Sequence, residues 1–146
     1  MKRFVFIIAI LVFSASAFAQ PTNVTSKNKK ARKEYFNGMD SYNAYEYTDA
    51  EKEFKNAITY DPKFIEPYIM LGTMYQELRR YAEAIQYYEK SLALDEDFFP
   101  NTFLICGRLQ LKLGLYADAK VNFDKLAARD DVKIGIKAQA EQGAKT

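Results

Sequence analysis

Histidine is missing from all 146 residues of this sequence. That one absence removes the commonest general base, the usual histidine-activated nucleophiles and most transition-metal sites. Cysteine occurs once, at Cys106, so no disulfide can close within the chain. A lone thiol with no histidine to activate it reads as buried structural sulfur, not as a nucleophile. The six glycines are scattered, and no glycine-rich phosphate loop can be built from them. The acidic pairs Asp95/Asp97 and Asp130/Asp131 lack the twelve-residue ligand pattern of an EF-hand and read as solvated caps at inter-helix turns. A large charge of one sign is lacking too. Removing Lys2 and Arg3 from the 21 basic residues leaves 19, equal to the 19 acidic ones. A neutral chain has no face with which to neutralise nucleic-acid phosphates. These gaps predict no cofactor, no metal, no nucleic-acid partner and no enzyme.

What is present begins with a segment of distinct character. Lys2 and Arg3 precede an unbroken apolar run from Phe4 to Phe13, and Ala17-Phe18-Ala19 closes it with small residues. This is the form of a secretory signal peptide over residues 1–19, cleaved after Ala19. The run is too short to cross a bilayer, which takes about 20 apolar residues. No cysteine follows the cleavage site, so the exported chain is not expected to be a lipoprotein. Localisation in the periplasm or cell envelope follows, with no membrane span after cleavage. Residues 20–30 are rich in Pro, Thr, Asn, Ser and Lys and read as a flexible leader. The basic cluster Lys27, Lys29, Lys30, Arg32 and Lys33 reads as a solvated helix start.

From about Ala31 the chain repeats itself. Gly38, Gly72 and Gly107 are each followed twelve residues later by an alanine (Ala50, Ala84, Ala119), then four residues later by an aromatic (Phe54, Tyr88, Phe123). The glycines lie 34 and 35 residues apart, a period that signals stacked repeats. Within a repeat, Ile65, Tyr68, Leu71, Gly72 and Tyr75 line one helical face, and Tyr81, Ala84, Ile85, Tyr88 and Leu92 line another. Thr48-Asp49-Ala50-Glu51 has the form of a capping box, Gly114 suits the left-handed residue that ends a helix, and Asp61-Pro62 stops one. Strand-period alternation does not compete. Val132, Ile136 and Ala140 form the inner stripe of a possible last helix, which Gly135 and Gly143 should weaken by up to about 1 kcal/mol each relative to alanine.

Over residues 31–131 this pattern resembles the tetratricopeptide repeat. The second copy carries it most fully in Tyr68, Leu71, Gly72, Tyr75, Ala84, Tyr88 and Ser91. The first departs at Glu34 and Ser41, where bulky apolar residues are usual, and the third at Gln110, where an aromatic is common. The resemblance implies an all-α fold: a right-handed superhelix of three stacked antiparallel helix pairs (31–64, 65–99, 100–131), with residues 132–146 a capping helix or the start of a linker. It also implies that the first helix of each pair lines a concave groove that holds a protein or peptide segment. The implied contact positions are Arg32, Tyr35, Met39, Tyr42 and Asn43; Glu66, Ile69, Thr73, Gln76 and Glu77; and Asn101, Leu104, Arg108, Leu111 and Lys112. Relatives that clamp a C-terminal carboxylate place Lys, Asn and basic residues where this chain has Tyr35, Met39, Met70, Asn101 and Ile105, so that specialisation is not expected. Phe98-Phe99-Pro100 is a second possible contact point.

The expected function is an envelope scaffold or adaptor. The order of signal peptide, basic leader and repeats also resembles the N-terminal part of outer-membrane proteins in which such repeats precede a β-propeller and an OmpA-type domain. That likeness implies peptidoglycan or outer-membrane association through a partner or a further domain.

Overall fold

The computed structural model describes residues 24–145; the expected signal peptide and the first leader residues lie outside them. Among the described residues there are seven α-helices and no strand: α1 (Lys29–Asn43), α2 (Tyr47–Tyr60), α3 (Ile65–Glu77), α4 (Tyr81–Leu94), α5 (Asn101–Lys112), α6 (Tyr116–Ala127) and α7 (Ile134–Gly143). α1–α2, α3–α4 and α5–α6 form hairpins, each hairpin's first helix packs on the preceding hairpin's second, and α7 covers the last pair by lying against α6 and α5.

The repeated glycines explain the hairpins. A Cβ on Gly38 would stand 2.7 Å from the Phe54 ring, one on Gly72 2.8 Å from Tyr88, and one on Gly107 2.5 Å from Phe123. An aromatic of the second helix therefore lies directly against the bare backbone of the first. Ala50, Ala84 and Ala119, all fully buried, complete each close approach. The turns repeat as faithfully. Tyr45, Arg79 and Gly114 occupy the same place in successive hairpins and all have positive φ (63°, 58° and 74°). The following amide bonds back to the carbonyl five residues earlier: Glu46 to Ser41, Arg80 to Tyr75 and Leu115 to Gln110. These are Schellman turns.

Two expectations need correction. The leader is not flexible through Lys30. From Val24 it is laid along the α2–α3 turn, with Val24 against the core, Ser26 buried with its hydroxyl bonded to Asp61, and Thr25 bonded through N–H and hydroxyl to Glu66. Asn28 then caps α1, accepting from the amides of Lys30 and Ala31 and donating to the Tyr60 carbonyl, so the helix begins at Lys29. Thr48 does not cap α2. That helix begins at Tyr47 after Glu46, with no side-chain cap bond, because the Schellman turn has already set its start. Gly143 has a packing role as well. A Cβ there would stand 2.6 Å from Phe123, whose ring is held between Gly107 and Gly143.

The departures from the repeat pattern are used rather than tolerated. Glu34 accepts from Asn56 at 3.0 Å and Ser41 donates to Glu53 at 2.7 Å, so the first hairpin is tied by polar pairs where the second has Tyr68 and Tyr75. The core divides in two: one cluster gathers repeats one and two with Cys106 and Leu109, and the other gathers repeat three with Ala140 of α7.

Candidate functional site

The first helices α1, α3 and α5 share one face, and the expected contact residues sort there by what they already touch. Tyr35 is 6% exposed and wedged among the rings of Phe36, Phe54 and Phe64 at 5.1–5.9 Å. Burial pushes its hydroxyl up to about 12, with the Glu66 charge adding to the effect. Tyr42 donates to Glu77 at 2.6 Å, and Tyr47 donates to the other oxygen of the same carboxylate at 3.1 Å. Burial first, and then the Glu77 bond, raises the Tyr42 hydroxyl well above the ordinary tyrosine range. Thr73 bonds the Ile69 carbonyl at 3.0 Å and lies 3.1 Å from the Tyr88 hydroxyl, which also donates to Gln76 at 3.3 Å. Glu66 holds the leader. These polar groups fix the groove's walls.

In the third repeat the same positions serve α7. Arg108 donates to Gln139 at 2.6 Å, while Leu104 and Leu111 join the cluster that contains Ala140. Lys112 sits 4.9 Å from the Tyr81 ring. Asn101 and Arg32 are half-buried, and Asn43 is exposed at the end of α1.

The residues that come together lie in the first half. Tyr35, Glu66 and Ile69 meet Met70, Phe98 and Phe99 around a recess of about 220 Å³. Its lining is almost wholly carbon, with the Glu66 carboxylate at the edge. Phe98 and Phe99, at the α4–α5 turn, are each 40% exposed. Met39, on the same helix as Tyr35, packs half-buried against the core. Met70 was not among the expected contacts because it stands one residue beyond the expected Ile69. Only the turn that brings Phe98 and Phe99 over α3 makes it part of the wall. The carboxylate-clamp positions hold Tyr35, Met39, Met70, Asn101 and Ile105, none of them cationic.

Cys106 is fully buried and its thiol is pushed up to about 12 by that burial, then by the Glu89 charge. Among the described residues no group of three or more His, Cys, Asp or Glu side chains could hold a metal ion. No helix among them is long and apolar enough to cross a membrane.

The fold and the face define a class: a tetratricopeptide-type helical solenoid. The family model of the tetratricopeptide repeat matches residues 65–98, the α3–α4 hairpin. The N-terminal domain of the stress-induced protein STI-1 from C. elegans is similar at 19% identity and a TM-score of 0.70, covering 77% of this chain and 93% of that one. The Yersinia enterocolitica type III secretion chaperone SycD, solved with a peptide of the translocator YopD, is similar at 20% identity and TM-score 0.64, covering 78% and 88%. PcrH, in complex with the chaperone-binding region of PopD, gives 23% identity and TM-score 0.65, covering 84% and 93%. These likenesses establish the fold.

Proposed function

We propose that the protein is an exported adaptor that holds a segment of another protein across its first-helix face. An apolar side chain of that segment would seat between Ile69, Met70 and Phe99. The observation that carries this reading is the carbon-lined recess on the inner face of a repeat solenoid, rimmed by one carboxylate. Burying such an anchor supplies most of the affinity in interfaces of this kind, with the surrounding polar groups fixing register. Similar solenoids solved with peptides support it.

The test is a photo-crosslinking residue placed at Ile69 in cells, with one at Lys52 on the α2 surface as the control. Capture of one protein from the Ile69 site is expected, and Ile69→Asp should weaken that capture about tenfold or more. Ile69 also packs half-buried on the core, so the variant is compared at a temperature where circular dichroism shows it folded. Equal capture from both positions would remove the groove from the account. Tyr35 and Arg108 are poor choices for such variants, since one is core and the other holds α7.

Export rests on the charged start, apolar run and small-residue end of the first nineteen residues. Mass spectrometry of the protein from its native cells should give an N-terminus at Gln20. A second reading, the leading module of a larger OmpA-type envelope protein, is favoured by the order of signal-like start, basic leader and repeats. Under it an antibody to the repeats should detect a species longer than this chain that sediments with peptidoglycan. A species of this length alone, free of peptidoglycan, removes that reading.

A further inference from the structure

The second helices α2, α4 and α6 face one another across two clefts on the opposite side from the recess, and the clefts differ in chemistry. Beside α2 and α4, repeat two presents stacked rings and the charges are paired. Tyr75 stacks on Tyr87 with centroids 5.4 Å apart, and the Arg80 guanidinium lies 4.4 Å from the Tyr75 ring. Glu51 is paired with Lys55, and Arg80 with Glu83.

One repeat further on, the register replaces each of these groups. Gln110 takes the place of Tyr75, Asn122 of Tyr87, Glu89 of Lys55 and Leu115 of Arg80. Asn122 donates to Gln110 at 2.7 Å, and Gln110 donates to Glu89 at 3.3 Å. Amides are shorter than phenol rings, so a cleft of about 670 Å³ opens between α4 and α6. Leu92 and Phe103 lie along its lining and Val121, 54% exposed, forms part of its wall. Glu89, Asp95, Glu96 and Asp118 surround it, with Lys125 the one lining cation, itself placed over the Phe103 ring. Burial, then the Asp118 charge, holds the Glu89 carboxyl above its ordinary range. The two cations that neutralise the first cleft have no counterpart in the second.

We propose that the α4–α6 cleft docks a short basic amphipathic segment of a partner protein, its Lys or Arg side chains pairing with Glu89 and Asp118 and its apolar side chains covering Val121 and Leu92. The segment supplies from outside the cations that Lys55 and Arg80 supply from within the chain one repeat earlier. The site shares no residue with the inner-face recess, so it stands or falls separately from the groove reading.

The probe is a fluorescent peptide of repeating Leu-Lys-Lys-Leu, with a Leu-Glu-Glu-Leu peptide as control, followed by anisotropy against the purified protein. Binding of the basic peptide alone is expected, weakening steeply with salt. Glu89→Lys with Asp118→Lys should weaken it at least about tenfold. Gln110→Tyr with Asn122→Tyr, which gives the third hairpin the ring pair of the second, should do the same. Val121→Lys, an exposed change that leaves folding intact, should weaken it as well, while Ile69→Asp should not. Absence of binding at low salt overturns the proposal, as does binding that none of the cleft variants alters. Self-association of the chain that Glu89→Lys dissolves overturns the assignment to a separate partner.

Discussion

Phe123 shows how much one ring can decide. Its edges contact the positions where Gly107 and Gly143 would each carry a Cβ, at 2.5 and 2.6 Å. Gly107→Ala and Gly143→Ala should therefore each destabilise by about 1–3 kcal/mol through overpacking. Gly135→Ala meets nothing within 4 Å and should stabilise by up to about 1 kcal/mol from helix propensity alone. Urea unfolding of the three variants separates packing from propensity. The hairpin turns supply a second contrast. Arg79 sits exposed at φ 58° where the third repeat has glycine, and Arg79→Gly should raise stability by about 1 kcal/mol by relieving the left-handed backbone. Titration adds a third. Tyr35, Tyr75 and Cys106 are each pushed up to about 12 by burial. The native chain thus holds protons that the unfolded chain releases from about pH 9 upward. Stability is fully present below that point and lost as pH rises through about 12. Absorbance of ionised tyrosine should show a fraction that titrates only together with loss of helix.

At the scale of elements, the hairpins were legible because glycine, alanine and aromatic landmarks lie twelve and four residues apart, within reach of a local pattern. What stayed hidden depends on partners distant in sequence. Thr25 and Ser26 look like linker residues until Glu66 and Asp61 are brought beside them, 41 and 35 positions on. Likewise Thr48 reads as a cap until the left-handed Tyr45 shows that the helix has already started. Asn28 carries the testable consequence. It caps α1 and also bonds the Tyr60 carbonyl, so Asn28→Ala should cost about 1 kcal/mol or somewhat more. Hydrogen exchange should quicken in the first turn of α1 and at Ile65, whose amide bonds Thr25. Unchanged protection at both places would mean that the leader contributes no stability.

Across the whole molecule, each repeat touches only its neighbours, and stability is close to a sum of local and interface terms. The candidate site was half legible for the same reason. The family register placed Tyr35, Glu66 and Ile69 at the recess, but α7 converts Leu104, Arg108 and Leu111 into a lid contact, and nothing in the first three repeats signals that. The two buried clusters meet through Leu92, which packs against both. The polar Asn122–Gln110–Glu89 chain runs from α6 through α5 to α4, whereas the Tyr75–Tyr87 stack one repeat earlier lies within the α3–α4 hairpin. Repeats one and two share one buried cluster, while repeat three and α7 form their own, so the second junction couples its neighbours less tightly than the first. Phe123→Ala, which removes a large core side chain worth about 3–5 kcal/mol, should therefore unfold repeat three and α7 at a lower denaturant concentration than repeats one and two. Phe54→Ala should not produce the mirror image, because repeats one and two share one buried cluster. Hydrogen exchange read helix by helix distinguishes these outcomes. A single transition for Phe123→Ala, with α2 and α6 losing protection together, would show that the second junction transmits folding as well as the first.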